Sequence, residues 1–248
     1  METETNPPES AARSGTQFAT THWSTVLAAG ESASLEASEA LEKLCRTYWL
    51  PVYGFVRHRG YPREQAEDLT QGFFEQLIEK ELASRADPER GRFRNFLLKV
   101  LTQFLADERR HERALKRGGD KVLLPWDWSL AEQRLFSETD PSPEVSFARK
   151  WALAVLDEVL ALLKQEREGS GKADAFEALS PYLQGEQGLP GYAEVARRLG
   201  ITENAVKVRI HRLRLRYREL LRAVVAQTVV DPSEIDDEIR FLFQVLSK

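Results

Sequence analysis

The chain has 248 residues, 42% of them hydrophobic and 30% charged, a balance that suits one or two globular units and excludes a fully disordered polypeptide. No apolar run approaches the ~20 residues that span a bilayer, and the polar, acidic residues 1–20 lack the apolar stretch of a secretory signal. A lone cysteine, Cys45, excludes an internal disulfide and a cysteine-based zinc site, so a reducing cytoplasm is expected.

The net charge of −4 is unevenly spread. Arg85 to Lys121 holds eleven lysines and arginines against six acids, and Arg197 to Arg222 holds nine against two, which leaves −16 on the remainder. A phosphate backbone responds to charge within a Debye length of ~8–10 Å, so these two basic islands, each a phosphate-binding surface or a solvated helix face, matter more than the total.

In chain order, residues 1–20 read as a tail, followed by a short amphipathic piece around Trp23, Val26 and Leu27. Leu41, Leu44, Cys45, Tyr48, Trp49, Val52, Phe55 and Val56 recur at helical spacing and predict a helix from about Ser34 to Arg59. Pro51 is expected to kink or divide it, and Gly60 to stop it. A second helix opens at Pro62 and runs to about Lys80, burying Ala66, Leu69, Phe73 and Leu77 and turning Asp68, Gln71, Gly72 and Glu75 outward. After a loop from Ser84 to Gly91, Phe93, Phe96, Leu97, Val100, Leu101, Phe104 and Leu105 form an unbroken apolar stripe. Beyond Asp107 that stripe gives way to Arg109, Arg110, Arg113, Lys116 and Arg117.

Gly118 to Glu144 carries three prolines and no sustained periodicity and reads as a linker. Helices resume over Pro143 to Glu168 and Asp174 to Leu183, then Tyr192 to Gly200, a turn, and a long helix from Thr202 to about Thr228. The end of the chain, Asp231 to Lys248, closes in an amphipathic segment with Ile235, Ile239, Leu242, Phe243 and Leu246. Strand signals are nearly absent, so the fold class is all-α.

Gly191 to Leu213 has the grammar of a helix-turn-helix. Ala193, Val195, Ala196 and Leu199 are expected to pack the first helix, Gly200 to supply a left-handed turn, Ile201 to plug the corner and Thr202 to cap the second helix. At 100° per residue Val206, Ile210, Leu213 and Tyr217 face inward, while Asn204, Lys207, Val208, His211 and Arg212 face outward from the N-terminal half, the part of a recognition helix that enters a major groove. Lys and Arg suit guanine and Asn suits adenine. Only Glu203 and Glu219 are acidic between Arg197 and Arg222.

With these features in this order, residues 35–118 and 145–226 resemble an extracytoplasmic-function (ECF) sigma factor of the sigma-70 family, with Gly60-Tyr61-Pro62-Arg63-Glu64 and Lys116-Arg117-Gly118-Gly119 spelt as in planctomycete-like members. Ala66-Glu67-Asp68-Leu69-Thr70-Gln71-Gly72-Phe73-Phe74 is similar to the family's AEDLxQxxF stretch. Gly91 to Arg110 is similar to its promoter-melting segment, including the Asp107 and Arg110 pair. Val206 to Arg212 is similar to its recognition helix. Phe96 stands where the family commonly has Trp, and Gln103 where it commonly has Asn, which leaves open the base recognised at the −10 element.

The resemblance implies two helical domains joined by a flexible linker. A tail (1–20) precedes a sigma region 2-like domain (21–117), a linker (118–143), a region 4-like helix-turn-helix domain (144–228) and a C-terminal extension (229–248). Core RNA polymerase is the implied partner, through its β′ clamp helices and β flap, with Glu67, Asp68, Gln71, Phe74 and Glu75 as the docking residues. Promoter DNA is the second partner. Arg90, Arg92, Arg94, Lys99, Gln103, Arg109, Arg110 and Arg113 would serve the −10 element and melting, and Asn204, Lys207, Val208, Arg209, His211 and Arg212 the −35 element. The loop before the third helix, with Lys99 and Gln103, could repay the few kcal/mol per unstacked base by holding single-stranded DNA. Arg109, Arg110 and Arg113 are expected on phosphates, and Phe93, Phe96 and Phe104 in the core. No catalytic residue, cofactor, metal or membrane contact is implied, and the protein is expected in the cytoplasm at the nucleoid. An anti-sigma factor or other regulator is compatible with the sequence, which identifies none. Trp126 and Trp128 either enter a polymerase channel or pack on a neighbouring helix. The C-terminal extension either folds back, occludes DNA contacts or binds a regulator.

An enzyme is the first rival. His22, His58, His111 and His211 follow no metal-ligand spacing, no nucleophile motif or phosphate-cradling loop occurs, and Cys45 lies on an apolar helix side. An autonomous helix-turn-helix repressor or activator is the second; it leaves the polar side of Pro62 to Lys80 and the basic loop unexplained. A helical scaffold that binds no nucleic acid is the third.

Overall fold

The structure, a computed structural model, describes residues 35–79, 92–114, 127–135, 140–169, 173–184 and 188–247. The expected tail, the piece around Trp23, the loop with Arg90, and Trp126 lie outside the described residues.

Ten α-helices and one 3₁₀ turn make up the described chain: α1 (Leu35–His58), α2 (Arg63–Glu79), α3 (Phe93–Ala114), α4 (Trp128–Leu135), α5 (Pro143–Gly169), α6 (Ala173–Leu179), α7 (Pro181–Gln184), α8 (Tyr192–Leu199), α9 (Glu203–Ala226), the 3₁₀ turn Pro232–Glu234 and α10 (Ile235–Leu246). Among the described residues the only β pairing is an isolated antiparallel bridge between Arg92 and Val229. The all-α expectation holds.

Pro51 does not divide α1; the helix runs through it as one element. Gly60 ends the following turn at φ +88°. The apolar stripes behave as their spacing demands: Ala66, Leu69, Phe73 and Leu77 of α2 are buried, as are Phe93, Phe96, Leu97, Leu101, Phe104 and Leu105 of α3. The phenylalanines of α3 are core residues, with Phe93 edge-on to Tyr48 (4.9 Å) and Phe104 to Phe73 (5.6 Å).

The stretch expected to be a linker contains a helix. Trp128 at the start of α4 packs on α1, its ring 5.7 Å from Trp49 and 5.1 Å from Tyr53. Glu132 fixes the same helix: Arg57 grips its carboxylate in two places (2.7 and 3.1 Å) and the Tyr53 hydroxyl donates to it. Trp128 therefore takes the packing alternative.

α1 also packs along α5, and Thr47 of α1 donates to Glu158 of α5 at 2.8 Å. One continuous buried cluster includes Tyr48, Phe55 and Leu97 together with Trp151, Val155, Ile210 and Leu242. The helices on either side of 118–143 thus share a core in this structure.

Candidate nucleic-acid interface

The helix-turn-helix forms as its residues require. Gly200 ends α8 at φ +65°, the left-handed conformation a Cβ disfavours, and donates its N–H back to the helix. Thr202, in extended conformation, caps α9 by accepting from the Ala205 N–H at 3.2 Å. Val195 and Ala196 of α8 meet Val206, Ile210 and Leu213 of α9 in the core. Ala193, expected in that contact, is exposed instead, in the first turn of α8.

Asn204, Lys207, Val208, Arg209, His211 and Arg212 are all exposed on the N-terminal half of α9, with the Lys207 ammonium 5.7 Å from the centre of the Tyr192 ring. Among the described residues no acid pairs with Lys207, Arg209 or Arg212. The C-terminal half of the same helix is different. Arg216 is gripped by Glu166 (2.6 Å) and Glu219 (2.7 Å), Arg222 pairs with Asp236, and Arg214 donates to the Tyr182 carbonyl at 3.1 Å. The second basic island thus divides into a C-terminal half in which Arg214, Arg216 and Arg222 are engaged by the fold while Arg218 stays exposed, and a half bare of acidic partners that faces solvent.

The first island is more heavily engaged. Lys99 and Gln103 are exposed on α3. Arg109 donates to the Tyr61 hydroxyl at 2.7 Å and lies over its ring, while exposed Arg110 pairs with Asp107 at 3.1 Å. The side chain of Arg113 lies outside the described residues.

Arg92 and Arg94, expected on the DNA-facing surface, are occupied in this structure by ion pairs with Glu238 of α10: Arg94 through Nε at 2.5 Å and Nη2 at 3.2 Å, Arg92 through Nη1 at 3.0 Å. The Arg94 side chain is 11% exposed and that of Glu238 1%. Arg94 also stacks on Phe241, 3.8 Å from guanidinium to ring centre. The reason is proximity: the Phe93 N–H donates to the Thr228 carbonyl at 3.0 Å, which lays the start of α3 beside the end of α9 and the helix that follows.

Two of the expected docking residues on α2 are also corrected. Phe74 is fully buried, 5.2 Å from Phe73, and Gln71 is buried, its amide donating to Glu75 at 3.1 Å. α2 is enclosed on a wider arc than one apolar stripe provides. Asp68 remains exposed, Glu75 is half-buried, and Glu67 is half-buried and paired with Arg63 at 2.7 Å.

Cys45 is buried, and burial, aided by the nearby Glu42, pushes its thiol far above the ordinary range, which disfavours the thiolate a nucleophile needs. No three acidic, histidine or cysteine side chains are grouped to hold a metal ion among the described residues. No helix among them is long and apolar enough to cross a membrane. A cavity of about 840 Å³ lies between α5, α9 and α10, lined by Leu156, Leu160, Leu221 and Ile239 with Arg214 and Arg218.

The contribution of Glu238 is what the sequence reading missed. Its signal was present: Ile235, Glu238, Leu242 and Val245 fall at spacings of three and four, which places a carboxylate on the apolar side of an amphipathic helix. No family model, curated protein or solved structure matches the chain.

Proposed function

We propose that the chain recognises promoter DNA as a sigma-type subunit of bacterial RNA polymerase, reading an upstream element with α9 and holding opened DNA on the surface of α3. The observation that carries this reading is the bare cationic half of α9, in which Asn204, Lys207, Val208, His211 and Arg212 follow a capped turn of helix-turn-helix geometry. An ordinary surface helix intersperses acids among such cations; here the acids are spent on the other half. Lys207 and Arg212 have the donors for guanine O6 and N7, Asn204 for adenine, and Val208, 40% exposed, the methyls for thymine. Exposed Asp68 on α2 supports an acidic docking point for the polymerase.

A second reading, an autonomous helix-turn-helix regulator, is favoured by the shared core, since a chain held as one body presents a single bare basic face. Transcription separates the two. Purified core polymerase plus the full chain, incubated with a genomic promoter library, should yield transcripts from a set of templates sharing one upstream motif. Absence of both transcripts and co-elution with core polymerase overturns the sigma reading, and tight duplex binding by the chain alone establishes the second.

A further inference from the structure

We infer that α10 is an autoinhibitory latch whose Glu238 carboxylate occupies the anion site that Arg92 and Arg94 would offer to nucleic-acid phosphate. The inference rests on the reading of those two arginines as nucleic-acid contacts and adds the device that controls them.

Two guanidiniums at the start of α3 converge on one carboxylate, at 2.5 and 3.0 Å, from 144 and 146 positions away in the chain. Glu234 stands beside Arg92 at 3.6 Å as a second anion. Two or more N–H donors around one pair of oxygens is the arrangement by which arginines bind phosphate as readily as carboxylate. With the Glu238 side chain 1% exposed and Arg94 covered by Phe241, the site these two form is closed to nucleic acid while α10 is in place, and only the Arg92 side chain, 21% exposed, stays partly open to solvent.

The helix is held at three further points, each of a kind that can open. Asp236 in its first turn pairs with exposed Arg222 of α9. Arg149 of α5 donates to the Val245 carbonyl at 3.2 Å, satisfying a group of the last turn that has no partner within the helix. Leu242 is buried, and Phe241 lies 6.1 Å from the Trp151 ring. α10 therefore touches α3 from the first half of the chain and α5 and α9 from the second. A helix of 12 residues is marginal alone, so its order depends on these contacts, and loss of the buried ion cluster loosens the whole segment. Only a ligand that binds the released state better can shift such an equilibrium, and phosphates do so here because they replace the carboxylate on the same donors.

The full chain carrying Glu238→Gln tests this. Gln keeps the shape but removes the carboxylate that both guanidiniums share, leaving enclosed Arg94 without its counter-charge and Arg92 with only the more distant Glu234, which favours the released state. Binding to a fluorescein-labelled single-stranded oligonucleotide of roughly 20 nucleotides, followed by anisotropy, should tighten on the order of tenfold over the wild type. Asp236→Ala, at an exposed position that folds regardless, should tighten it about twofold. Unchanged affinity in a folded Asp236→Ala chain together with unchanged or weaker affinity in Glu238→Gln overturns the latch. Co-elution of the wild type with core polymerase, scored in parallel, is the separate test of the sigma reading. Tightened oligonucleotide binding without co-elution keeps the latch and removes the polymerase; co-elution without tightening does the reverse.

Discussion

Replacing Glu132 with alanine tests how α4 is held. In the native chain its carboxylate receives two hydrogen bonds from Arg57 and one from Tyr53, and its side chain is 11% exposed against 23% for Arg57. Removing one member of such a pair typically costs ~3–5 kcal/mol, because the other charge stays behind unpaired. Arg57 keeps the Tyr61 carbonyl at 2.7 Å and can be partly rehydrated, so about 2–3 kcal/mol is expected here. That corresponds to a fall in Tm of roughly 4–12 °C for a domain of this size. Urea unfolding followed by tryptophan fluorescence reads the change, since Trp128 sits beside Trp49 and Tyr53.

The pH dependence is a second readout of the same residue. Burial alone raises the Glu132 carboxyl, but the hydrogen bonds from Arg57 and Tyr53 outweigh it and hold the group below the ordinary carboxylate range. A depressed carboxyl contributes stability that is fully present above its unfolded value of about 4.3 and is lost as pH falls through the folded one. The stability difference between wild type and Glu132→Gln should therefore be constant above about pH 5 and shrink progressively below about pH 4. A loss under about 0.5 kcal/mol for the alanine variant, or a difference that persists unchanged into strong acid, would refute the anchoring role.

Arg212→Ala should cost ~1–3 kcal/mol of holoenzyme binding at one upstream base pair, measured by competition among single-base variants of a bound promoter; an equal loss on every sequence would assign Arg212 to phosphate alone. Asp68→Arg reverses charge at an exposed position and should abolish co-elution with core polymerase while leaving the circular dichroism spectrum unchanged; retention at the wild-type level excludes α2 as the docking face. Gly200→Ala meets open space, so its cost is conformational, ~1–2 kcal/mol from the left-handed backbone, and thermal unfolding should show it; a neutral result would mean that the turn relaxes to another geometry.

What was legible in the sequence is what local physics determines. The α3 stripe could be read because one apolar face at 3.6-residue spacing admits a single orientation, and the turn at Gly200-Ile201-Thr202 could be read because left-handed backbone and helix capping each demand particular residues. α4 could not: eight residues are too few to display a period, and its order comes from Trp49, Tyr53 and Arg57 on α1. Phe74 and Gln71 were misplaced because a one-stripe helix leaves its far side wet, whereas α2 is covered on more than one side. Arg94 illustrates the deeper limit. An arginine destined for phosphate and one destined for a carboxylate 144 positions away are the same letter, and only tertiary structure tells them apart.

That ambiguity bears on how the charge of the whole chain is used. The acids that offset the two basic islands are concentrated where cations serve the fold, Glu238 and Glu234 on the start of α3 and Glu166 and Asp236 on the C-terminal half of α9, and outside the islands Glu132 does the same for Arg57. Self-repulsion among cations would otherwise work against packing α3, α9 and α10 together. The N-terminal half of α9 received no such partner among the described residues, although it lies on the same helix as residues that did. Leaving like charges uncompensated there carries an electrostatic cost that a purely structural helix has no reason to bear. On the proposed reading a polyanion would supply the missing counter-charge, and counterions released from it would add a driving force that weakens steeply with salt.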